Sequence, residues 1–193
     1  MRRCDKVTIL VSETFMLDAM AVRQVLESLG LHVELLIINR RDLLEAFLQE
    51  RRSCSALIIA AHGHKGRGIV FPVVTEHDGE IGREDLVLES LPIGAIADPH
   101  RQPFVFSTSC STNSANVVNA FAGSGYRHLL AHHGYNQTDS MLCYVTVLFA
   151  SLLAEDRDDE RASCTLAEAH SAAAAVQPFP NGTRGYRMSA IPG

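Results

Sequence analysis

The chain of 193 residues is 47% hydrophobic and 20% charged, a composition that predicts one folded domain and excludes an intrinsically disordered protein. Its 17 Lys and Arg against 22 Asp and Glu give a formal net charge of -5, which leaves no basic surplus for a nucleic-acid partner. No apolar run approaches the roughly 18 residues that span a bilayer, and residues 1–5 lead into a strand-like segment rather than a signal peptide, so we expect a cytoplasmic protein without a membrane partner.

The first part of the chain alternates strand-like and helix-like segments. Continuous apolar runs predict strands at 6–12, 32–39 and 56–61. Such runs, without polar alternation, are typical of a parallel sheet that is buried on both faces. Apolar residues at helical spacing predict the intervening helices at 18–29 and 41–52. Strand-like runs on either side of His77-Asp78-Gly79 then predict an antiparallel hairpin, inserted after the third strand.

The second part of the chain returns to alternation. Helices are predicted at 83–91, 114–122, 140–154 and 165–176, and strands at 104–109 and 128–131. Residues 177–193 form a tail punctuated by Pro and Gly, with a possible short last strand at 186–191. We therefore expect a single α/β domain over 1–193, built on a doubly wound, mostly parallel sheet with a hairpin insertion.

Two of the predicted strands end next to side chains that can take part in catalysis. The third strand ends in His62-Gly63-His64, and the fourth leads into Cys110-Ser111-Thr112-Asn113. In an open parallel sheet, ligands bind beyond the carboxyl ends of the strands, so His62 and Cys110 are expected at one edge. An imidazole can take the proton of a thiol, and the amides of Gly63 and Cys110 can stabilise an oxyanion. These groups are the components of acyl transfer from a peptide or an amide.

Structural roles are the alternatives for each of these residues. His62 at a strand end could bond a backbone carbonyl, and a cysteine taken at random is more often a small buried hydrophobe than a nucleophile. The polar end of an apolar strand, where a helix is expected to begin, favours a low thiol pKa for Cys110. Cys143, on an apolar helix, is predicted to lie in the core. The five cysteines show no CxxC spacing, so neither a disulfide framework nor a zinc ribbon is expected.

The residues around the predicted dyad resemble a known family. The chain resembles the caspase-like cysteine peptidases, in particular the CHAT group related to separase and to bacterial caspase homologues. The resemblance is in the order of three features: His62-Gly63 at the end of a strand, then an insertion, then the segment 104–112. The resemblance extends over about residues 55–176. The chain departs from it at Thr108, where many caspase relatives carry an acidic residue, and in having no tryptophan.

The resemblance implies a sheet of the caspase-hemoglobinase type and a cysteine endopeptidase that needs no cofactor and no metal. Cys110 would be the nucleophile and His62 the general acid/base. The substrate would be a protein or peptide, and a regulatory protein partner or a proteolytic cleavage would activate the enzyme. The alternative is a catalytically inactive module of the same fold that binds a partner, with His62 and Cys110 as relics.

The preference for a substrate side chain is expected to depend on two carboxylates. Asp139 follows the fifth strand. The resemblance implies that an acidic residue at this place binds a basic side chain on the acyl side of the scissile bond. Glu13, at the end of the first strand, could supply a second carboxylate. The alternative for Asp139 is the N-cap of the following helix, a position that Asp favours.

Other kinds of site are less well supported by the sequence. His62, His64, His132 and His133 could converge on a metal, but Lys65 and Arg67 in the same loop would repel a cation, and no HExxH motif is present. The glycines of the 63–68 loop suggest a phosphate site, yet a strand follows them where a phosphate cradle normally opens a helix. Serines flank Cys110 without a GxSxG elbow, which makes a serine hydrolase the weaker enzyme hypothesis.

Overall fold

A six-stranded sheet lies at the centre of the structure, a computed structural model that describes residues 6–50, 54–77, 80–95, 97, 103–134, 138–154, 164–176 and 185–193. Nine strands are assigned within these residues: β1 Lys6–Val11, β2 His32–Ile37, β3 Ala56–Ala60, β4 His62–His64, β5 Gly68–His77, β6 Glu80–Val87, β7 Phe104–Ser107, β8 His128–His132 and β9 Tyr186–Ala190. The α-helices there are α1 Met16–Ser28, α2 Arg41–Gln49, α3 Ala115–Ala120, α4 Thr138–Leu153 and α5 Leu166–Val176. Short 3-10 helices cover Glu13–Phe15 and Leu88–Ser90.

The strands of the central sheet follow the order β2-β1-β3-β7-β8-β9. The first five are parallel, with β1 between β2 and β3, and β9 pairs with β8 in the antiparallel direction. The prediction of an α/β fold on a mostly parallel sheet is therefore confirmed. The expected last strand in the tail is also confirmed, as β9, while residues 177–184 of that tail lie outside the described residues.

Both faces of the central sheet are covered. Successive residues of a strand point to opposite faces, so each strand contributes to two hydrophobic cores. Leu10, Leu57 and Val105 pack on the side of α2, α3 and the hairpin strand β5. Their neighbours Ile9, Ile58 and Phe106 pack on the side of α1, α4 and α5. This double burial explains why the sequence of these strands is continuously apolar.

The hairpin insertion is present and longer than expected. Strands β4, β5 and β6 form a separate antiparallel sheet, in which β5 and β6 pair from Val70 opposite Val87 to His77 opposite Glu80. The tip residues Asp78 and Gly79 lie outside the described residues.

The prediction of a helix at 83–91 is wrong, because this segment continues the hairpin as β6 and ends in the 3-10 helix Leu88–Ser90. Arg83, Glu84 and Asp85 are exposed and lie opposite Val74, Val73 and Pro72 of β5, so backbone pairing makes this segment a strand. Pairing with β5 overrides the local helical signal of the acidic residues. The other predicted helices and the predicted strands of the central sheet are present, with ends that differ by at most three residues.

The helices of the described ranges do not include one that is long and apolar enough to cross a membrane.

The prediction that Cys143 lies in the core is also wrong. Cys143 is exposed on α4, while Met141, Tyr144, Val145 and Leu148 of the same helix are buried. Because α4 is apolar on nearly all sides, its sequence does not reveal which face is covered. Among the four cysteines that the structure describes, the buried one is Cys54, whose Sγ lies 3.2 Å from the Tyr126 hydroxyl.

A matched pair of variants tests this assignment. Cys54→Ala should lower the free energy of unfolding by about 1–3 kcal/mol, because it removes a buried sulfur and its contact with the Tyr126 hydroxyl. Cys143→Ala should change it by no more than about 0.5 kcal/mol, as expected of an exposed site. Urea unfolding followed by circular dichroism measures both values. Equal losses in the two variants would contradict the burial of Cys54 and the exposure of Cys143.

Candidate active site

The carboxyl ends of β3 and β7 bring the two predicted catalytic segments to one edge of the sheet. β3 and β7 are parallel neighbours, with Ile59 opposite Ser107. The pairing continues beyond the strand, where the Thr108 amide donates to the Ile59 carbonyl at 3.0 Å. The chain then reaches His62 a short distance after β3 and Cys110 a short distance after β7. The sequence prediction that both residues share an edge is consistent with this register.

The backbones of Gly63 and Cys110 are in direct contact. A methyl group built on the Gly63 Cα would overlap the Cys110 carbonyl oxygen, and it would lie 2.5 Å from the Cys110 nitrogen and 2.6 Å from its carbonyl carbon. These separations are shorter than any side chain tolerates, so only glycine fits at this position. The residue that follows His62 is therefore packed against the residue that carries the thiol.

The His62 imidazole is held by an aromatic ring. His62 is exposed, and its ring meets that of Phe15 edge to face, with centroids 4.8 Å apart and planes at 77°. Phe15 ends the 3-10 helix that follows β1, and it is partly buried against the core beneath α1. The pair leaves the imidazole accessible to a ligand and limits its rotation. The sequence analysis missed Phe15, although its place beyond the end of a central strand could have indicated it.

Several hydrogen bonds hold the turn that carries Cys110. Cys110 itself is half-buried, and the next residue, Ser111, has a φ of 54° in the left-handed region. Such a conformation is uncommon for a residue with a side chain and is found where the surrounding structure holds it. The Ser111 amide donates to the Gly134 carbonyl at 2.8 Å, and the Thr112 hydroxyl lies 3.0 Å from both the Ser107 hydroxyl and the Ser109 carbonyl.

One part of the predicted environment of Cys110 is not present. The sequence analysis expected a helix N-terminus at the cysteine, but α3 begins at Ala115, five positions later, with Ser114 as its N-cap. A helix dipole acts over the first turn only, so the field of α3 does not extend to Cys110.

The same edge buries several polar groups. Ser12, which follows β1, and Ser109, which precedes Cys110, are each 1% exposed. Their hydroxyls have no hydrogen-bond partner within the described part of the chain. His132 at the end of β8 is also buried, and burial lowers the pKa of its imidazole. His132 is thus closed off from solvent, whereas His62 is exposed and can be reached by a ligand.

The structure places the two predicted substrate carboxylates at this edge as exposed groups. Glu13 lies in the 3-10 helix after β1, and its Oε2 is 3.9 Å from Nη2 of Arg83 in the hairpin. Asp139 is the second residue of α4, whose first residue, Thr138, donates its hydroxyl to Asp18 at 3.2 Å. The N-cap alternative for Asp139 is wrong, because the preceding residue is already helical. Asp18 is a third carboxylate here, one that the sequence analysis missed.

Among the residues that the structure describes, no group of three or more His, Cys, Asp or Glu side chains is placed to hold a metal ion. His64 instead lies with its Nδ1 3.1 Å from the Lys65 carbonyl.

Comparison with known proteins does not assign this site. No protein-family model matches the chain, and no curated protein sequence is significantly similar to it. The chemistry of the edge therefore follows from its own residues: an accessible imidazole, a half-buried thiol, and a glycine that joins the two segments.

Substitution of Gly63 tests the contact on which this geometry depends. Gly63→Ala should lower the free energy of unfolding by about 1–3 kcal/mol, because the new methyl must displace the Cys110 backbone. Gly82→Ala on β6 is the matched control, since its methyl meets only the flexible Thr75 hydroxyl at 3.2 Å, and it should change stability by no more than about 0.5 kcal/mol. Urea unfolding measures both. A Gly63→Ala protein as stable as the parent would show that the two backbones are farther apart than described.

Proposed function

We propose that the protein is a cysteine endopeptidase of the caspase-like type, related to the CHAT group. Cys110 is the nucleophile, His62 is the general acid/base, and the amides of Gly63 and Cys110 form the oxyanion hole. The observation that carries this proposal is the backbone contact between Gly63 and Cys110, which ties the residue after the imidazole to the residue with the thiol. The mostly parallel sheet with a hairpin after its third strand supports a fold of the caspase-hemoglobinase type.

The reaction uses each of these groups in turn. His62 accepts the proton of the Cys110 thiol as the sulfur attacks the carbonyl carbon of the scissile peptide bond. The amides of Gly63 and Cys110 stabilise the negative charge that develops on the carbonyl oxygen. His62 then donates its proton to the leaving amine, and the acyl group remains on the sulfur as a thioester. Water, deprotonated by His62, hydrolyses the thioester and restores the thiol.

The local geometry is suited to these steps. The exposed imidazole can meet a polypeptide substrate, and the edge-to-face contact with Phe15 orients it. The left-handed Ser111 and the bonds of Thr112 hold the cysteine turn in one conformation. Preorganisation of this kind is what makes a dyad effective, because little rearrangement is needed at the moment of reaction.

The proposed substrate is a peptide with Arg or Lys on the acyl side of the scissile bond. Glu13 has 59% of its side chain exposed, so its carboxylate can meet a substrate guanidinium in addition to that of Arg83. The bond between Thr138 and Asp18 joins the start of α4 to the start of α1, which brings Asp139 near the segment that carries Glu13. The proposal also includes a cytoplasmic location, where thiols stay reduced, and activation by a protein partner or by cleavage.

The dyad is tested by two alanine variants and one control. Cys110→Ala and His62→Ala should each lower kcat on a fluorogenic peptide library by at least about a thousandfold, because members of a cooperating dyad contribute as a unit. The circular dichroism spectrum should not change. Cys143→Ala, an exposed cysteine of the same protein, should keep the parent's activity.

Reaction with iodoacetamide distinguishes an enzyme from an inactive module of the same fold. In the enzyme, Cys110 is alkylated near pH 7 faster than Cys143, and His62→Ala removes the difference. Equal alkylation rates, together with no hydrolysis of any library peptide, would contradict the dyad and leave a binding module.

The substrate preference is tested at Asp139. Asp139→Asn should reduce kcat/KM for peptides with Arg before the scissile bond by about tenfold or more, since a charge-assisted pair contributes about 1.5–3 kcal/mol. Because Asp139 is exposed, the melting temperature should stay the same. A library profile dominated by acidic or aromatic residues at that position, or a variant with the parent's profile, would contradict the role of Asp139.

A further inference from the structure

A half-buried carboxylate is bonded to the hairpin on which His62 and Gly63 lie. Glu89, in the 3-10 helix after β6, accepts the Ile69 amide proton with both carboxylate oxygens, at 3.0 and 3.1 Å. Burial raises the pKa of Glu89. A carboxylate is seldom buried without a specific role, because removing it from water is unfavourable. The sequence analysis did not single out this residue.

The place of Glu89 follows from the way β6 ends. The last pair between β5 and β6 is Val70 opposite Val87, so β6 has no strand residue opposite Ile69. The Glu89 side chain supplies the acceptor that the missing strand would have provided. Gly68, with a φ of 92°, leaves space for it, because a methyl group there would overlap the Glu89 carboxylate. Glu89 and Gly68 therefore act together: the carboxylate accepts the Ile69 amide proton, and the glycine leaves space for that carboxylate.

The hydrogen bond between Ile69 and Glu89 indicates the direction of the Gly63 amide. Ile69 lies opposite Gly63 in the antiparallel pair of β4 and β5. In such a pair the two residues either exchange both backbone bonds or point them both away from each other. Since the Ile69 amide donates to Glu89, the Gly63 amide points away from β5. The Gly63 Cα is itself packed against the Cys110 backbone, so this amide leaves β5 next to the cysteine.

We propose that Glu89 is a positioning residue for the oxyanion hole, acting through Ile69 and Gly63 on the site of Cys110. The inference rests on the proposed function for its effect on turnover. Glu89 touches neither the thiol nor the imidazole in this role. It fixes the register of the β4–β5 turn, and the register determines whether the Gly63 amide faces the substrate carbonyl at Cys110.

Variants of Glu89 separate this role from a general effect on stability. In Glu89→Gln the amide oxygen can still accept the Ile69 proton, so kcat should stay within about threefold of the parent's. In Glu89→Asp the side chain is one methylene shorter, so its carboxylate should not reach the Ile69 amide. Glu89→Asp and Glu89→Ala should lower kcat by about a hundredfold with little change in KM, the loss expected when one oxyanion donor is displaced. Glu84→Ala, which removes an exposed carboxylate from the same hairpin, is the control and should leave kcat unchanged.

Amide hydrogen exchange provides a readout that does not depend on peptidase activity. In folded Glu89→Asp protein, the amides of Ile69, which loses its acceptor, and of Val70, which lies opposite His62 in β4, should exchange at least tenfold faster than in the parent, and those of β1 should not change. If the parent hydrolyses no peptide, the proposed function fails, and the exchange at Val70 still decides whether Glu89 holds the β4–β5 register. Parent-like exchange at Val70 together with parent-like kcat in Glu89→Asp and Glu89→Ala would overturn the inference.

Discussion

The arrangement of the candidate site depends on one close contact, that between the backbones of Gly63 and Cys110. The contact requires β3 and β7 to be parallel neighbours, so that the chain leaves both strands at the same edge. It also requires a residue without a side chain after His62, because any Cβ would occupy the space of the Cys110 carbonyl. The imidazole and the thiol belong to segments more than 40 residues apart, and this contact is what ties those segments together.

The edge is rigid because the sheet beneath it is packed on both faces. Under α4 and α5, the rings of Phe106, Tyr144 and Tyr186 stack on one another, with Tyr144 and Tyr186 centroids 4.3 Å apart. The Tyr144 hydroxyl lies 2.6 Å from Nδ1 of His170 in α5, which gives the buried phenol a polar partner. This cluster joins β7, β9 and two helices. The strand that leads to Cys110 is therefore fixed by contacts distant from the thiol.

The hairpin insertion has two structural roles. Its β5 strand buries Phe71 and Val73 in the core that α2 and α3 also cover, and the Val74 amide donates to the Asn39 carbonyl at 2.8 Å. Its first strand, β4, carries His62 and Gly63 at the edge of the central sheet. The same element therefore completes the core and presents the candidate catalytic residues. A change in the register of the hairpin would alter the site and the core together.

The sequence by itself determined the α/β class, most of the elements and the edge at which His62 and Cys110 lie, because strand burial on two faces leaves a continuous apolar pattern that can be read locally. It did not determine β6, the exposure of Cys143, or the roles of Phe15 and Glu89. Acidic residues in β6 had a helical signal that strand pairing overrode. Because α4 is apolar on nearly all sides, which of its faces is covered depends on its neighbours. Phe15 and Glu89 act through residues distant in sequence, and only the tertiary structure brings those partners within contact.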